Sequence, residues 1–171
     1  MTDGELHAGL GFISCLFSYP DKPLFAPAIP VETEGAALLE TMNSLAPVRL
    51  QNEYVRLFIN ALPEVPCAPY GSVYLEGSLM GETTVTVHEI YRKYGMETTE
   101  LPDHIAVECE FLAWLHDVAA SDEIARKDYG YLLGHLREWT GLFFDRVEQH
   151  DQLGCYRRSA QLGRTILSWS R

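Results

Sequence analysis

The chain has 171 residues, of which 47% are hydrophobic, and its formal net charge at pH 7 is −11. That is enough apolar material for one compact domain over residues 1–171, whose core requires neither disulfides nor a metal. The negative charge argues against nucleic acid as a partner, because binding to phosphates requires a basic face.

Three helices are predicted in the first third of the chain. The first has an apolar face at helical spacing, formed by Leu6, Leu10, Ile13 and Phe17. Pro20 prevents its continuation. A weaker helix is indicated by Ala37, Leu38, Met42 and Leu45. Pro47 is suited to a first helical position and opens the third helix, whose apolar face consists of Leu50, Tyr54, Leu57 and Phe58.

The segment 61–81 departs from the helical pattern. It contains three prolines and three glycines, and loops of this length inside a compact domain are usually functional or disordered. Its apolar residues, among them Tyr70, Tyr74 and Leu79, provide enough surface to pack on a core and so argue against disorder. We therefore predict a long ordered loop that crosses the surface of the bundle.

Helical patterns resume after this loop. Thr83 or Thr84 is the predicted N-cap of the next helix, and Gly95 marks its end. Asp103 then occupies the N-cap position of a strongly apolar helix, which we expect to be central because its apolar residues form more than one stripe.

Two further helical regions complete the chain. The first runs from Ser121 to about Gln149, with breaks predicted at Gly134 or Gly141. The second is amphipathic and follows Gly154. No strand alternation persists, so the sequence predicts an all-α, single-domain bundle of six to seven helices with a long ordered loop near residues 61–81.

Charge is distributed unevenly along the chain. Residues 97–151 carry thirteen acidic and four basic side chains, whereas the last twenty residues carry four arginines and no acid. Such a surface would attract a cationic peptide, at a rate that falls as salt screens the field. The alternative is that the acidic surface serves only to keep the protein soluble.

The sequence also indicates a cellular location. The N-terminus lacks the basic and apolar regions of a secretory signal, and no stretch approaches the roughly 20 apolar residues that span a bilayer. The cysteines, at positions Cys15, Cys67, Cys109 and Cys155, are too far apart for a zinc knuckle or a CxxC motif. We expect a cytoplasmic protein without stable membrane insertion, whose thiols are reduced and mostly buried.

The phrase Glu100-Leu101-Pro102-Asp103-His104 has two interpretations. One is ordinary capping, in which Asp103 accepts backbone N–H groups at the helix start. The other is binding, because a carboxylate and an imidazole at one junction offer a ligand an acceptor and a switchable donor. An arginine guanidinium would suit that carboxylate, which can receive it in a bidentate fork.

The phrase from Pro66 to Tyr74 is the second candidate for binding. Two prolines stiffen it, Gly71 permits a tight backbone, and Tyr70 and Tyr74 flank Ser72. Aromatic, amphipathic surfaces of this kind are enriched at binding hot spots. The alternative is a loop that its own tyrosines pack down.

No catalytic motif is present. The sequence lacks GxSxG, a Walker loop, GxGxxG, HExxH and the paired Glu-x-x-His elements of di-iron bundles. We predict neither a catalytic nor a metal site, and no bound cofactor. The alternative is a small helical metal- or cofactor-binding enzyme that uses a loose cluster of Glu100, Asp103, His104 and Glu108.

The order of several phrases resembles the core pattern of the TorD/DmsD/NarJ redox-enzyme maturation chaperones. These phrases are Tyr54-Val55-Arg56-Leu57-Phe58, Pro69-Tyr70-Gly71-Ser72-Val73-Tyr74-Leu75, Gly81, Gly95, Glu100-Leu101-Pro102-Asp103-His104 and Glu108-Cys109-Glu110-Phe111-Leu112. Trp139, Phe143-Phe144 and Tyr156 resemble the C-terminal half of the family. The resemblance thus spans residues 54–156.

This resemblance implies an all-helical chaperone that is not an enzyme. Members of the family bind the twin-arginine signal peptide or N-terminal segment of a molybdopterin-dependent catalytic subunit, and hold it back until the cofactor is inserted. The peptide-binding positions that it implies here are Tyr70, Gly71, Ser72, Tyr74, Asp103 and His104. The client arginines would then lie near Asp103 and Glu100, and its apolar residues near the two tyrosines.

Some features stay open at this stage. Many DmsD-like members have a tryptophan where Tyr70 stands, and their acidic motif often reads Glu-Pro-x-Asp-His, whereas here Pro102 directly precedes Asp103. The subfamily and the client are therefore undetermined. Some members are reported to interact with guanine nucleotide or molybdenum cofactor. A helical adaptor between folded proteins is a further alternative. A monomer and a domain-swapped dimer are equally compatible with the sequence.

Overall fold

The computed structural model describes residues 3–26 and 32–169. They contain eight α-helices: α1 (Asp3–Phe17), α2 (Glu32–Ser44), α3 (Pro47–Tyr54), α4 (Gly71–Leu75), α5 (Glu82–Lys93), α6 (Ile105–Ala119), α7 (Glu123–His150) and α8 (Cys155–Leu167). The predicted all-α class is confirmed. The helix count exceeds six to seven because the predicted loop contains the short α4. A π-helical turn, Val55–Ile59, also extends α3.

Four helices form the centre of the bundle. α6 packs against α1 and α7, and α8 packs against α7 and α1. The largest fully buried side chains among the described residues include Trp139, Phe143 and Phe144 of α7 and Tyr156 of α8. α6 is buried on several sides, as its apolar stripes predict.

α7 is one helix of 28 residues, so the break considered at Gly134 or Gly141 occurs at neither position. A glycine costs a helix only about 1 kcal/mol relative to alanine. Burial of Leu132, Leu136, Trp139 and Phe143 on the core side of α7 outweighs that cost. Asp122 caps this helix, accepting from the N–H groups of Ile124 and Ala125.

α5 begins differently from the prediction. Its N-cap is Gly81, so neither Thr83 nor Thr84 occupies that position. The Glu76 carboxylate instead accepts from the backbone N–H groups of Glu82, at 2.7 Å, and Thr83, at 2.9 Å. A side chain from outside the helix thus supplies the acceptors that its first turn needs.

The Tyr54–Phe58 phrase connects α3 to the junction of α7 and α8. The Arg56 guanidinium donates to the buried Glu53 carboxylate at 2.7 and 2.8 Å, and to the carbonyl oxygen of His150 at 2.6 Å. Glu53 also accepts from the backbone N–H of Gln152. Burial alone would raise the pKa of Glu53, but these hydrogen bonds lower it below its usual value.

The cysteines are free thiols. Cys67, Cys109 and Cys155 are buried and Cys15 is partly buried. Burial raises the pKa of Cys67 and of Cys155 to about 12, which suppresses thiolate reactivity. Among the described residues, no helix has both the length and the apolar character to cross a membrane.

Candidate functional site

The two candidate binding segments, 66–74 and 100–104, contact each other in the structure. Gly71 N–H donates to the carbonyl oxygen of Asp103 at 3.0 Å, and Ile105 N–H donates to that of Pro69 at 2.9 Å. These bonds form an isolated antiparallel bridge between Tyr70 and His104. The two rings meet edge to face, with centroids 5.2 Å apart. The tyrosine-bearing loop and the Asp–His corner therefore form one unit.

Asp103 caps a different helix from the one predicted. Its Oδ2 accepts from the backbone N–H of Ser72 at 2.8 Å, in the first turn of α4. The N-cap of α6 is His104, whose Nδ1 accepts from the N–H of Ala106 at 3.1 Å. The prediction that Asp103 caps its own helix is therefore wrong, since its carboxylate satisfies a long-range donor.

Burial divides the seven predicted binding residues into two groups. The buried group consists of Gly71, Ser72, Asp103 and His104, and Asp103 exposes none of its surface. Glu100 is exposed, and Tyr70 and Tyr74 are half-buried. In this conformation a client guanidinium could reach Glu100 but not Asp103, which corrects the arrangement expected from the sequence.

Tyr70 and Glu100 line an open cleft of about 220 Å³, which we call the tyrosine cleft. Its other lining residues include Tyr19, Tyr54, Phe58, Ile59 and His104. Tyr19 and Ile59 are 45% and 55% exposed, so this apolar surface is open to solvent. Among the described lining residues, Glu100 is the only carboxylate, and no lysine or arginine is present. The cleft can take an apolar segment with a cation beside it.

The polar atoms of the cleft are held in defined positions. Glu100 Oε1 accepts from the Tyr70 hydroxyl at 3.2 Å and from the N–H of Leu101 at 2.9 Å. The Tyr54 hydroxyl donates to the carbonyl oxygen of Phe17 at 2.9 Å. Burial raises the pKa of Tyr70 and Tyr54, so both hydroxyls stay protonated near neutral pH.

His104 is a neutral structural residue at physiological pH. Burial lowers its pKa to about 4, although the nearby carboxylates of Glu100 and Asp103 act in the opposite direction. Because Nδ1 accepts from Ala106, the neutral ring carries its proton on Nε2. The imidazole is thus a fixed acceptor for the backbone, and is not a switchable donor near neutral pH.

Tyr74 does not line the tyrosine cleft. Its ring stacks on Trp139 of α7, with centroids 5.6 Å apart and planes inclined by 20°. The Arg146 guanidinium lies 5.4 Å from the same ring. The two tyrosines therefore do not share one surface, and Tyr74 instead anchors α4 on α7.

A buried His–Glu pair lies beneath α4. His135 Nδ1 and Glu108 Oε1 are 2.7 Å apart, and both side chains are almost fully buried. Burial raises the pKa of Glu108. Burial opposes protonation of His135, but the Glu108 carboxylate outweighs it and raises the pKa. Glu108 thus faces His135, whereas Glu100 faces Tyr70. The acidic residues of the alternative enzyme site therefore do not converge on one point.

Sequence reasoning missed Tyr19, Tyr54 and Ile59 as members of the cleft. Tyr54 reads as a core residue because it belongs to the apolar face of α3, and it is indeed buried. Tyr19 follows the end of α1, and Ile59 ends the π-helical turn. The only available signal was the position of Tyr19 and Ile59 at helix ends, where apolar side chains are not required for helix packing.

A family model described as nitrate reductase delta subunit matches residues 26–145 of the chain. The chain belongs to this family. The resemblance to the TorD/DmsD/NarJ chaperones is thereby confirmed.

Individual relatives agree with this assignment. Chaperone protein TorD from Vibrio cholerae El Tor Inaba N16961 is 28% identical over an alignment that covers 73% of this chain and 64% of the relative. TorD from the classical strain O395 is 27% identical with the same coverage. The chain therefore spans slightly less than two thirds of the length of these relatives.

A solved structure extends the match to almost the whole chain. It is a crystal structure of a protein from Archaeoglobus fulgidus provisionally named a redox enzyme maturation protein. The two are 32% identical, with a TM-score of 0.73, and the match covers 95% of this chain and 94% of the other. These names are those of chaperones and a maturation protein, not of catalysts, in agreement with the prediction that the chain is not an enzyme.

Proposed function

We propose that this chain is a cytoplasmic chaperone for a molybdopterin-dependent oxidoreductase. It binds the N-terminal or twin-arginine signal segment of the catalytic subunit and assists cofactor insertion before export or assembly. Membership of the family and the similarity to TorD support the general role. The observation that carries the peptide site is the tyrosine cleft, an exposed apolar surface with a carboxylate at Glu100.

The binding energy comes mainly from apolar contact. Apolar surface removed from water contributes about 25 cal/mol per Å², and Tyr19, Ile59 and Tyr70 are the partly exposed apolar groups that a client segment would cover. Tyrosine provides a large contact area with few rotatable bonds, which is why it is enriched at hot spots. Tyr70 is therefore the proposed anchor.

Charge orients the client segment in the cleft and speeds its association with the protein. A client arginine beside the apolar segment would lie near Glu100, and its guanidinium would stack favourably on a tyrosine ring. The acidic excess over residues 97–151 attracts such a segment from a distance. Both effects weaken as salt increases, because exposed charges are screened.

The buried members of the predicted set act indirectly in this proposal. The Asp103 carboxylate and the N–H groups of Gly71 and Ser72 hold the start of α4, and with it Tyr70, against the 103–105 segment. His104 supports the same Tyr70 ring. Tyr74 fixes α4 on Trp139. Gly71, Ser72, Asp103 and Tyr74 position the cleft without contacting the client, whereas His104 also lines it.

The experiment is a binding titration with a synthetic peptide. The peptide comprises the N-terminal segment of the molybdoenzyme subunit encoded beside this chain, with its arginine pair and apolar stretch, and binding is followed by fluorescence anisotropy. We expect Tyr70→Ala to weaken binding by about 2 kcal/mol, which is roughly 30-fold in Kd. Tyr131→Ala is the matched control, since Tyr131 is 48% exposed and lies outside the cleft.

The charge contribution is tested separately. Glu100→Gln should weaken binding by up to about 1 kcal/mol, as for exposed ion pairs, and should reduce the dependence of affinity on salt. Glu97→Gln is the control, because Glu97 is also exposed but does not line the cleft.

Three results would overturn the proposal. Wild-type affinity in Tyr70→Ala would show that the cleft is not the site. A loss of peptide affinity in Tyr131→Ala alone would show that the peptide binds elsewhere, in the larger acidic pocket of about 620 Å³. Tyr131 lines that pocket with Glu76 and Glu138. Equal binding of a mature client that lacks the segment would indicate an adaptor between folded proteins.

A further inference from the structure

A second polar cluster lies between α1 and α6, separate from the tyrosine cleft. It consists of His7 on α1 and His116 and Asp117 on α6. One ligand atom from each residue can be chosen so that all three lie within 4.8 Å of one another. Val107, which lines the cleft, is nine residues before His116, or about 14 Å along the helix axis. The two sites are therefore distinct.

The atoms of this cluster are already close. Asp117 Oδ1 lies 3.3 Å from His116 Nδ1 and 4.0 Å from His7 Nδ1. The two imidazole centroids are 5.0 Å apart, with planes inclined by 49°. Two helices thus direct two imidazoles and one carboxylate to a common point.

His7 has an unsatisfied atom in this cluster. Its Nδ1 is shielded from solvent and lacks a hydrogen-bond partner among the described residues. Buried polar atoms normally have a partner, because losing hydration without compensation is unfavourable. In the tautomer that carries its proton on Nε2, this nitrogen has a lone pair available for a cation. The Asp117 side chain is 76% exposed, so solvent can reach the cluster.

We propose that His7, His116 and Asp117 form a binding site for a divalent transition-metal ion, with Zn²⁺ as the reference ion. Two imidazole nitrogens and one carboxylate oxygen are ligands that zinc, nickel, cobalt and copper accept, whereas Mg²⁺ and Ca²⁺ prefer sites made of oxygen alone. Three protein ligands leave a fourth position for water. The bound ion would tie α1 to α6.

The geometry requires only a small adjustment. Zinc–ligand bonds of about 2.0–2.1 Å imply ligand separations of about 3.4 Å in a tetrahedron. The Asp117–His116 pair meets this value, the Asp117–His7 pair exceeds it by less than 1 Å, and the two imidazole ligand atoms lie within 4.8 Å of each other. Rotation of partly exposed side chains suffices to close that gap, since their rotamers interconvert without rearranging the core.

The test is a Zn²⁺ titration of the full chain, after removal of any affinity tag, in competition with a chromophoric chelator. We expect one ion per chain. His7→Gln and His116→Gln should each weaken Zn²⁺ binding by at least about tenfold. Removing a residue that only orients a metal ligand already lowers metal affinity by about 10–100-fold. His88→Gln is the matched control, because His88 is an exposed histidine on another helix.

A second measurement uses thermal unfolding with and without Zn²⁺. An ion that binds the folded state raises the unfolding midpoint, so the wild type and His88→Gln should shift upward and the two cluster variants should not. Far-UV circular dichroism checks that all variants are helical. The proposal is overturned if the tag-free wild type does not bind Zn²⁺, or if both cluster variants bind it as tightly as the control.

Discussion

The backbone N–H of Ser72 donates to the Asp103 carboxylate at 2.8 Å, across 31 residues of sequence. Tyr70, the N-cap of α4, offers no side-chain acceptor to that helix. Asp103 therefore supplies the acceptor that the first turn of α4 requires. Because Tyr70 directly precedes this turn, the placement of the proposed peptide anchor depends on a residue that is itself fully buried.

Removal of the Asp103 carboxylate should destabilise the fold. Asp103→Ala leaves the buried Ser72 N–H without an acceptor, and we expect a loss of about 1–3 kcal/mol in the free energy of unfolding. Asp103→Asn keeps an oxygen acceptor and should cost less. Urea unfolding of both variants measures the effect.

The control for Asp103 is Asp145→Ala. Asp145 pairs with Arg164, but its side chain is 56% exposed, so its removal should change stability by less than about 0.5 kcal/mol. Unchanged stability in Asp103→Ala would show that the Ser72 bond contributes nothing. If peptide affinity falls in Asp103→Ala but is kept in Asp103→Asn, the positioning role proposed for Asp103 is supported, because only the first variant removes the acceptor for Ser72 N–H.

Gly71 should not tolerate a side chain. A Cβ at this position would lie 2.9 Å from Trp139 Nε1 and 3.0 Å from His135 Cε1. Both neighbours are buried in the core beneath α4, so they cannot move away without strain. We expect Gly71→Ala to cost about 1–3 kcal/mol, as other overpacked sites do. Thermal and urea unfolding provide the measurement.

Gly134→Ala is the matched control for Gly71→Ala. Gly134 is an exposed residue within α7, and a Cβ there would meet no atom within 4 Å. Alanine is the better helix former, so this change should stabilise the protein by about 0.5–1 kcal/mol. Opposite signs for the two substitutions are the expected outcome. A neutral Gly71→Ala would contradict the close packing of α4 on α7.

Local rules predicted most of the helices but not the cap of α4. The apolar periodicity of α1 and Pro47 at the start of α3 are features of a single segment, and both predictions are confirmed. The prediction for Asp103 also rested on a local rule, because an aspartate before an apolar helix normally caps that helix. Its actual partner is 31 residues away, and no periodicity or spacing encodes that pairing.

The candidate site was predicted in outline only. The proximity of Tyr70 to His104 agrees with the expectation from the two phrases. The remainder of the cleft was not predicted, because Tyr19 and Ile59 are brought to it by the packing of separate helices. Tyr74 was placed on the wrong surface, since five residues of helix in α4 rotate it toward Trp139.

His104 should make the stability of the protein depend on pH. Burial lowers its pKa in the folded state to about 4, from an ordinary value of 6.5. Between these values the unfolded chain binds more protons than the folded one, so acid favours unfolding. The contribution of His104 is fully present above pH 6.5 and is lost as the pH falls toward 4. Each pKa unit corresponds to about 1.4 kcal/mol, so the loss amounts to roughly 3 kcal/mol.

His104→Asn isolates this contribution. The Asn oxygen can accept from the Ala106 N–H as Nδ1 does, because asparagine is among the best N-caps, but it does not titrate. Both proteins keep Glu100, Asp103 and every other ionisable group. Urea unfolding between pH 4 and 7.5 therefore gives a difference in stability that reflects position 104 alone. That difference should be constant above pH 6.5. Below pH 6.5 the wild type should become less stable relative to His104→Asn. Parallel curves down to pH 4 would mean that His104 can be protonated in the folded state without penalty, and the burial argument would fail.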